Sequence, residues 1–181
     1  QGLRDQKRDI WLRGERVDDV TAHPGLASGA RAIASLYDKQ MADVPAMTYK
    51  SPTSGDPIGL SHIVAQTQDD LVRRRDMMLT WARTTCGMMG RSPDFMNVTY
   101  AAWAGAADYF GEKRPEFGQN MRNYHRYISE NDLVLTHSLI NLQRSRTVSG
   151  VYNLEEGTAL QAVKETSEGI VVRGARVLAT L

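Results

Sequence analysis

Arg91 stands in the stretch Met88-Met89-Gly90-Arg91-Ser92-Pro93-Asp94-Phe95, at a corner between two helices. Gly90 suits the left-handed residue that ends a helix, because it has no Cβ to clash at positive φ. Ser92 and Pro93 read as an N-cap and a first-turn proline, and Asp94 matches the positive end of the helix dipole. An arginine beside the exposed backbone N–H groups of such a corner attracts an anion. The same arginine also complements the carbonyl end of the preceding helix, so the corner alone reads first as structural. His137 is the second candidate. It lies in an apolar strand where a helical block gives way to β, and crevices between domains favour ligands. Its type suits proton transfer near neutral pH, and it suits equally a structural histidine held by hydrogen bonds. The polar run Asn141-Leu142-Gln143-Arg144-Ser145-Arg146-Thr147 that follows either holds phosphate or ring carbonyls or forms a surface loop.

Other chemistries find little support. His23, His62, His125 and His137 are scattered, with no pair at metal-ligand spacing, so no zinc site is expected. Cys86, the only cysteine, reads as a small core residue on the apolar side of a helix and excludes an intrachain disulfide framework. Neither a Walker loop, a dinucleotide-type glycine fingerprint nor a serine-nucleophile elbow is present. A net charge of +1 gives no reason to expect nucleic acid or an anionic membrane as partner. No apolar run approaches the ~20 residues of a membrane span.

The elements that must position these residues fall into two blocks. A short helix over residues 1–8 precedes a small hairpin over 10–17, turning at Gly14. Pro24 favours the start of an amphipathic helix over 25–42 carrying Leu26, Ile33, Leu36, Tyr37, Gln40 and Met41. Residues 43–62, with Pro45, Pro52 and Pro57, read as a long irregular connection that borders a site or wraps a neighbour. Thr67-Gln68-Asp69-Asp70 caps the next helix, which runs through Leu71, Met78, Ala82 and Thr85 to Met89. Its Arg73-Arg74-Arg75 run, interleaved with Asp69, Asp70 and Asp76, reads as a solvated, salt-bridged face. After the corner come a helix of small apolar residues over 95–110 and another opened by Pro115. Strands are expected over 133–140, 160–165, 169–172 and 176–181. A helical domain over 1–132 and an incomplete antiparallel β domain over 133–181 follow, and the absence of turn residues at Leu181 suggests a fragment of a longer chain.

Taken in order, Trp11…Gly14-Glu15-Arg16-Val17…Val20-Thr21…His23-Pro24, Trp81-Ala82-Arg83, Gly90-Arg91-Ser92-Pro93-Asp94-Phe95, His137…Asn141 and Glu165…Gly169-Ile170-Val171-Val172-Arg173-Gly174-Ala175-Arg176-Val177-Leu178-Ala179-Thr180 resemble one family. The resemblance is to the N-terminal part of the oxygenase component of 4-hydroxyphenylacetate 3-monooxygenase, and it runs through essentially the whole chain. It implies an α+β, acyl-CoA dehydrogenase-like fold: an N-terminal helical domain, the start of a middle antiparallel β domain, and a C-terminal four-helix bundle that this chain lacks. It implies a cytoplasmic homotetramer when full length, and a separate flavin reductase that supplies reduced FAD. With O₂ the flavin forms a hydroperoxide that hydroxylates a phenol ortho to its hydroxyl.

By the same resemblance, Arg91, Phe95 and His137 line the substrate, with Arg91 and His137 catalytic. Gln143, Arg144, Ser145 and Thr180 contact FAD, and no metal takes part. An always-charged arginine favours the phenolate, and a histidine within reach takes its proton. Phe95 replaces the family's usual tyrosine and removes one hydrogen bond to the substrate oxygen, so a phenol other than 4-hydroxyphenylacetate is open as substrate. The 141–147 loop lacks the family's usual proline and acidic residue. The alternatives within the same superfamily are an acyl-CoA dehydrogenase-like flavoprotein and a CoA-ester dehydratase. The dehydratase needs cluster-binding thiolates, and the corner offers none. A third alternative is an inert fragment of such an enzyme.

Overall fold

Residues 2–5, 8–89, 92–141 and 159–180 are described by the computed structural model, and they divide into two units, Gln1–Val134 and Leu135–Leu181. The first unit opens with α1 (Gly2–Asp5) and the antiparallel hairpin of β1 (Ile10–Leu12) and β2 (Glu15–Val17). Arg13 (φ 54) and Gly14 (φ 84) make its turn, the positive-φ pair that matches strand twist in a two-residue hairpin. Then come α2 (Ala27–Ala42), α3 (Val44–Met47), β3 (Thr48–Lys50), β4 (Pro57–Gly59), a 3₁₀ turn (Leu60–His62) and α4 (Gln68–Thr84). The unit closes with α5 (Asp94–Gly105), α6 (Ala107–Gly111) and α7 (Pro115–Glu130).

Trp81 on α4 anchors the core. It is fully buried among Leu36, Met47, Leu60, Ile63 and Met77, and its indole Nε1 donates to the Leu36 carbonyl at 3.0 Å. A buried Trp needs such an acceptor, so this bond fixes where α4 crosses α2. The N-terminus of α4 is a complete capping box. The Thr67 hydroxyl accepts from the Asp70 amide and the Asp70 carboxylate accepts from the Thr67 amide.

Several expectations are corrected here. The 43–62 stretch is not irregular: Asp43 caps α3, Pro45 sits in its first turn, and β3 pairs with β4 in register Thr48↔Gly59. The prolines punctuate short elements instead of preventing them. Helix α4 stops at Thr84, short of Met89, because Cys86 (φ 53) and Gly87 (φ 69) turn left-handed. The Gly87 amide then bonds the Ala82 carbonyl at 2.8 Å. Cys86 is accordingly exposed in that turn and not a core residue. The residue ending the helix is thus not Gly90, which lies with Arg91 outside the described residues.

The Arg73–Arg75 run is only partly a solvated face. Arg73 Nη2 donates to the Thr48 carbonyl at 3.1 Å and Arg74 Nη1 to that of Ile63 at 3.4 Å, while Arg75 pairs with Asp76. The expected single helix over 95–110 breaks at Ala106, where φ −98 and ψ 19 leave the helical region and α6 begins. Helices α6 and α7 then cross closely at Gly118, and Tyr100 of α5 meets Tyr124 of α7 edge-on at 4.9 Å.

In the second unit, β5 (His137–Asn141) pairs antiparallel with β8 (Arg176–Thr180), and β6 (Gln161–Thr166) with β7 (Gly169–Arg173). Strand structure begins at His137 and not at Leu133. Gly174, at φ 127, passes so near the Ala159 carbonyl that a side chain has no room. Among the described residues, no helix is long and apolar enough to cross a membrane.

At Gly118 an added Cβ meets the Ala107 carbonyl oxygen at 2.5 Å, a backbone atom that cannot swing away. Gly118→Ala is therefore expected to lower stability by about 1–3 kcal/mol in urea unfolding. An unchanged midpoint contradicts the close crossing.

Candidate functional site

The residues singled out from the sequence fall in both units. Phe95 lies in the first turn of α5 with 40% of its surface exposed, immediately after the buried pair Pro93 and Asp94. Ser92 does not act as a side-chain cap. Its carbonyl accepts from the Phe95 amide at 3.1 Å, and the helix starts one residue later than expected. In the second unit His137 opens β5 and is the register partner of Thr180 at the end of β8. Two positions read separately from the sequence are thereby brought side by side. Gln143, Arg144 and Ser145 lie outside the described residues, as does Arg91. Among the described residues, no group of three or more His, Cys, Asp or Glu side chains is placed to hold a metal ion.

A buried polar cluster stands where the sequence offered no signal. His62, Asn97 and Ser61 are fully buried, and Gln40 is 2% exposed. The Gln40 amide donates to Asp132 Oδ2 at 2.5 Å, and His62 Nε2 lies 3.3 Å from Asp132 Oδ1. Asn97 Nδ2 donates to Ser61 Oγ at 3.0 Å and approaches His62 Nε2 at 3.1 Å. That imidazole nitrogen either donates to Asp132 or accepts from Asn97, since one ring nitrogen cannot do both in one tautomer. The His62 carbonyl is bonded from two sides, by His125 Nε2 at 2.8 Å and by the Tyr49 hydroxyl at 3.3 Å.

Backbone geometry underlines the role of Asp132. It sits at φ 45, and the Leu133 amide closes the end of α7 on the Ile128 carbonyl at 3.0 Å. Glycine or asparagine is the usual residue there. Asp132 is kept in this conformation while its carboxylate ties α7 to α2 and to the 3₁₀ turn. Burial pushes the His125 imidazole below its ordinary pKa, against the raising effect of its bond to His62. Two residues before Asp132, Glu130 is bonded by Ser51, and hydrogen bonds from Ser51 and Ser54 hold its carboxyl below the ordinary value. A histidine among apolar neighbours (Leu60-Ser61-His62-Ile63) and an acid just past a helix end were the only sequence hints of this cluster.

Asp94 is the other unexpected carboxyl. Only 8% exposed, it is raised above its ordinary pKa by desolvation, and only its own backbone N–H opposes the shift. It lines an open cleft of about 510 Å³ with Ser92 from the corner and Leu71, Arg74, Arg75, Met78, Leu79 and Ala82 from α4. On α4, Met77 and Trp81 are buried in the core and Met78 packs against it, while Leu71 is 49% exposed at the cleft.

Three comparisons place this geometry among known proteins. The family described as "4-hydroxyphenylacetate 3-hydroxylase N terminal" matches residues 1–181. The oxygenase component of 4-hydroxyphenylacetate 3-monooxygenase from Geobacillus sp. (strain PA-9) is 40% identical over 98% of this chain and 36% of its own length. Its namesake from Thermus thermophilus is 41% identical over 99% of the chain and 37% of its own. The oxygenase component of a Rhodococcus 4-nitrophenol 2-monooxygenase is 32% identical over 99% of this chain and 34% of that protein. A crystal structure of a 4-hydroxyphenylacetate 3-monooxygenase oxygenase component, complexed with FAD and 4-hydroxyphenylacetate, superposes with a TM-score of 0.87 at 40% identity. It covers 98% of this chain and 36% of that one. An archaeal 4-hydroxybutyryl-CoA dehydratase shares the fold alone, with a TM-score of 0.75 at 18% identity. The chain thus spans little more than a third of the length of these relatives.

Two outcomes follow from the buried groups. Asp132→Ala leaves the Gln40 amide without its acceptor and is expected to cost about 1–3 kcal/mol in chemical unfolding. Asp132→Asn, which tolerates positive φ and keeps one acceptor oxygen, should cost less. Equal losses in the two variants contradict the network. Asp94 gives a pH signature of defined sign. Its folded pKa lies above the ordinary 3.8, so the folded state binds more protons there and stability falls as pH rises through that window. Asp94→Asn should raise the melting temperature at pH 7 and lose that advantage as pH drops below about 4. A variant no more stable at pH 7 than the parent contradicts a desolvated carboxylate.

Proposed function

The chain belongs to the 4-hydroxyphenylacetate 3-hydroxylase family, over that family's N-terminal part, and from this we propose that the full-length protein is the oxygenase component of a two-component, FAD-dependent monooxygenase acting on a phenol. The observation that carries the reading is 40% identity over 98% of the chain to a relative of that name. FAD is the cofactor of this reading, supported by the FAD-bound structure at the same identity. The word "component" in the relatives' names supports a separate reductase as partner.

The residues present suit a flavin. Gln143, Arg144, Ser145 and Thr180 form a set of amide, guanidinium and hydroxyl donors for a ring rich in acceptors and a diphosphate. Thr180 pairs in register with His137, so a flavin contact and a substrate contact fall on adjacent strands. Bound as reduced flavin and given O₂, the cofactor supplies the oxygen atom that enters the ring, and the second oxygen leaves as water.

The chain's own residues do the rest. His137 accepts the proton of the phenol hydroxyl, which raises electron density at the ortho carbon and makes the ring a better acceptor of electrophilic oxygen. Arg91, charged at all working pH values, stabilises the phenolate and the negative charge that develops with it. Phe95 offers an edge and a face where the relatives place a hydroxyl. It supports a substrate whose oxygen is held by Arg91 and His137 alone.

With full-length protein, reduced FAD and a panel of para-substituted phenols, a catechol product is expected. Arg91→Ala should lower kcat/KM by about two orders of magnitude or more. Undiminished hydroxylation by that variant overturns its assigned role. Phe95→Tyr should shift the panel's ranking toward 4-hydroxyphenylacetate, and an unchanged ranking contradicts Phe95 as a determinant of substrate choice.

A further inference from the structure

The cleft between α4 and the start of α5 has the two chemically different ends that a small bipolar ligand needs. At one end Asp94, the first residue of the 12-residue α5, is more than nine-tenths buried and accepts no side-chain hydrogen bond among the described residues. Ser92, just before the helix, lines the cleft beside it. At the other end stand Arg74 and Arg75. Arg74 spends Nη1 on the Ile63 carbonyl, and Arg75 spends Nε and Nη2 on Asp76, so each guanidinium keeps donors for a ligand. With Asp76 counted, that end retains one net positive charge.

Between them runs an apolar wall of Leu71, Met78, Leu79 and Ala82, with Leu71 49% and Leu79 44% exposed. From Arg74 to Ala82 the wall rises ~12 Å along α4, at 1.5 Å per residue. A volume of about 510 Å³ lies in the usual range for small-molecule sites.

We propose that this cleft binds a single-ring aromatic acid bearing a hydroxyl, its carboxylate on Arg74 and Arg75, its ring on the α4 wall and its hydroxyl on Asp94. Arg74, Arg75 and Asp94 carry none of the roles proposed for Arg91, Phe95 and His137, so the cleft is a second binding site in this proposal. The choice of a phenol for the hydroxyl end rests on the hydroxylase reading. The carboxylate end and the apolar wall rest on the cleft alone.

Isothermal titration of the full-length protein with 4-hydroxyphenylacetate tests this, with 4-methylphenol (no carboxylate) and phenylacetate (no hydroxyl) as comparators. Two sites per chain are expected for 4-hydroxyphenylacetate. The weaker one should lose at least about tenfold in affinity in Arg75→Gln and vanish in Ala82→Trp, which fills the wall. Each comparator should bind that site at least about tenfold more weakly. A single site in the parent protein, or a second site untouched by both variants, overturns the proposal. Hydroxylation of 4-hydroxyphenylacetate is scored in parallel. Two sites without turnover leave the cleft standing and the hydroxylase reading refuted, and turnover with one site does the reverse.

Discussion

The N-terminal unit depends on one carboxylate. Asp132 occupies a left-handed position at the end of α7, where glycine is the unstrained choice, and uses its side chain to reach Gln40 of α2 and His62 of the 3₁₀ turn. Three elements that are distant in sequence are thereby linked by groups that no apolar packing could specify. The cost is a φ that L-residues avoid, of order 1 kcal/mol or more, and the gain is a buried network with a defined geometry. Around it the apolar core is compact and centred on Trp81, whose indole bond to Leu36 sets the crossing of α2 and α4.

The corner after α4 follows from this arrangement. Trp81 and Met77 are buried in the core, Met78 packs on its edge, and Leu71 and Leu79 are left exposed along the cleft that Asp94 lines. A carboxyl in the first turn of a helix is ordinarily solvated and stabilised by the dipole. Here Pro93 and Asp94 are both buried, and desolvation outweighs that benefit. Buried carboxyls with raised pKa values cluster at functional sites more often than elsewhere. The sequence Gly90–Phe95 thus holds groups of two kinds: Arg91 and Phe95, proposed here to meet the phenol, and Asp94, which lines the cleft.

Much of this was legible from residues alone. The α4 capping box, the Gly14 hairpin, the Pro115 helix start and the three late strands each rest on local chemistry, and each was read within a few residues. What failed depended on non-local choices. Prolines over 43–62 mark short elements as readily as loops, and only the pairing of β3 with β4 decides between them. The end of α4 was missed because Cys86, a residue with no preference for positive φ, shares the turn with Gly87. The candidate site residues Arg91, Phe95 and His137 were proposed from a family pattern, whereas the pairing of His137 with Thr180 required the register of β5 and β8. The Asp132 cluster was not legible at all, because its members are spread from Gln40 to Asp132 and no spacing rule connects them.

The central claim is that the full-length protein puts one atom of O₂ onto a phenol. Turnover of 4-hydroxyphenylacetate, or of whichever panel phenol is consumed fastest, under ¹⁸O₂ with reduced FAD tests it most directly by mass spectrometry of the product. The account predicts a product carrying one ¹⁸O, placed ortho to the original hydroxyl. Oxygen derived from water, or oxidation of the flavin with no labelled product from any phenol, contradicts it.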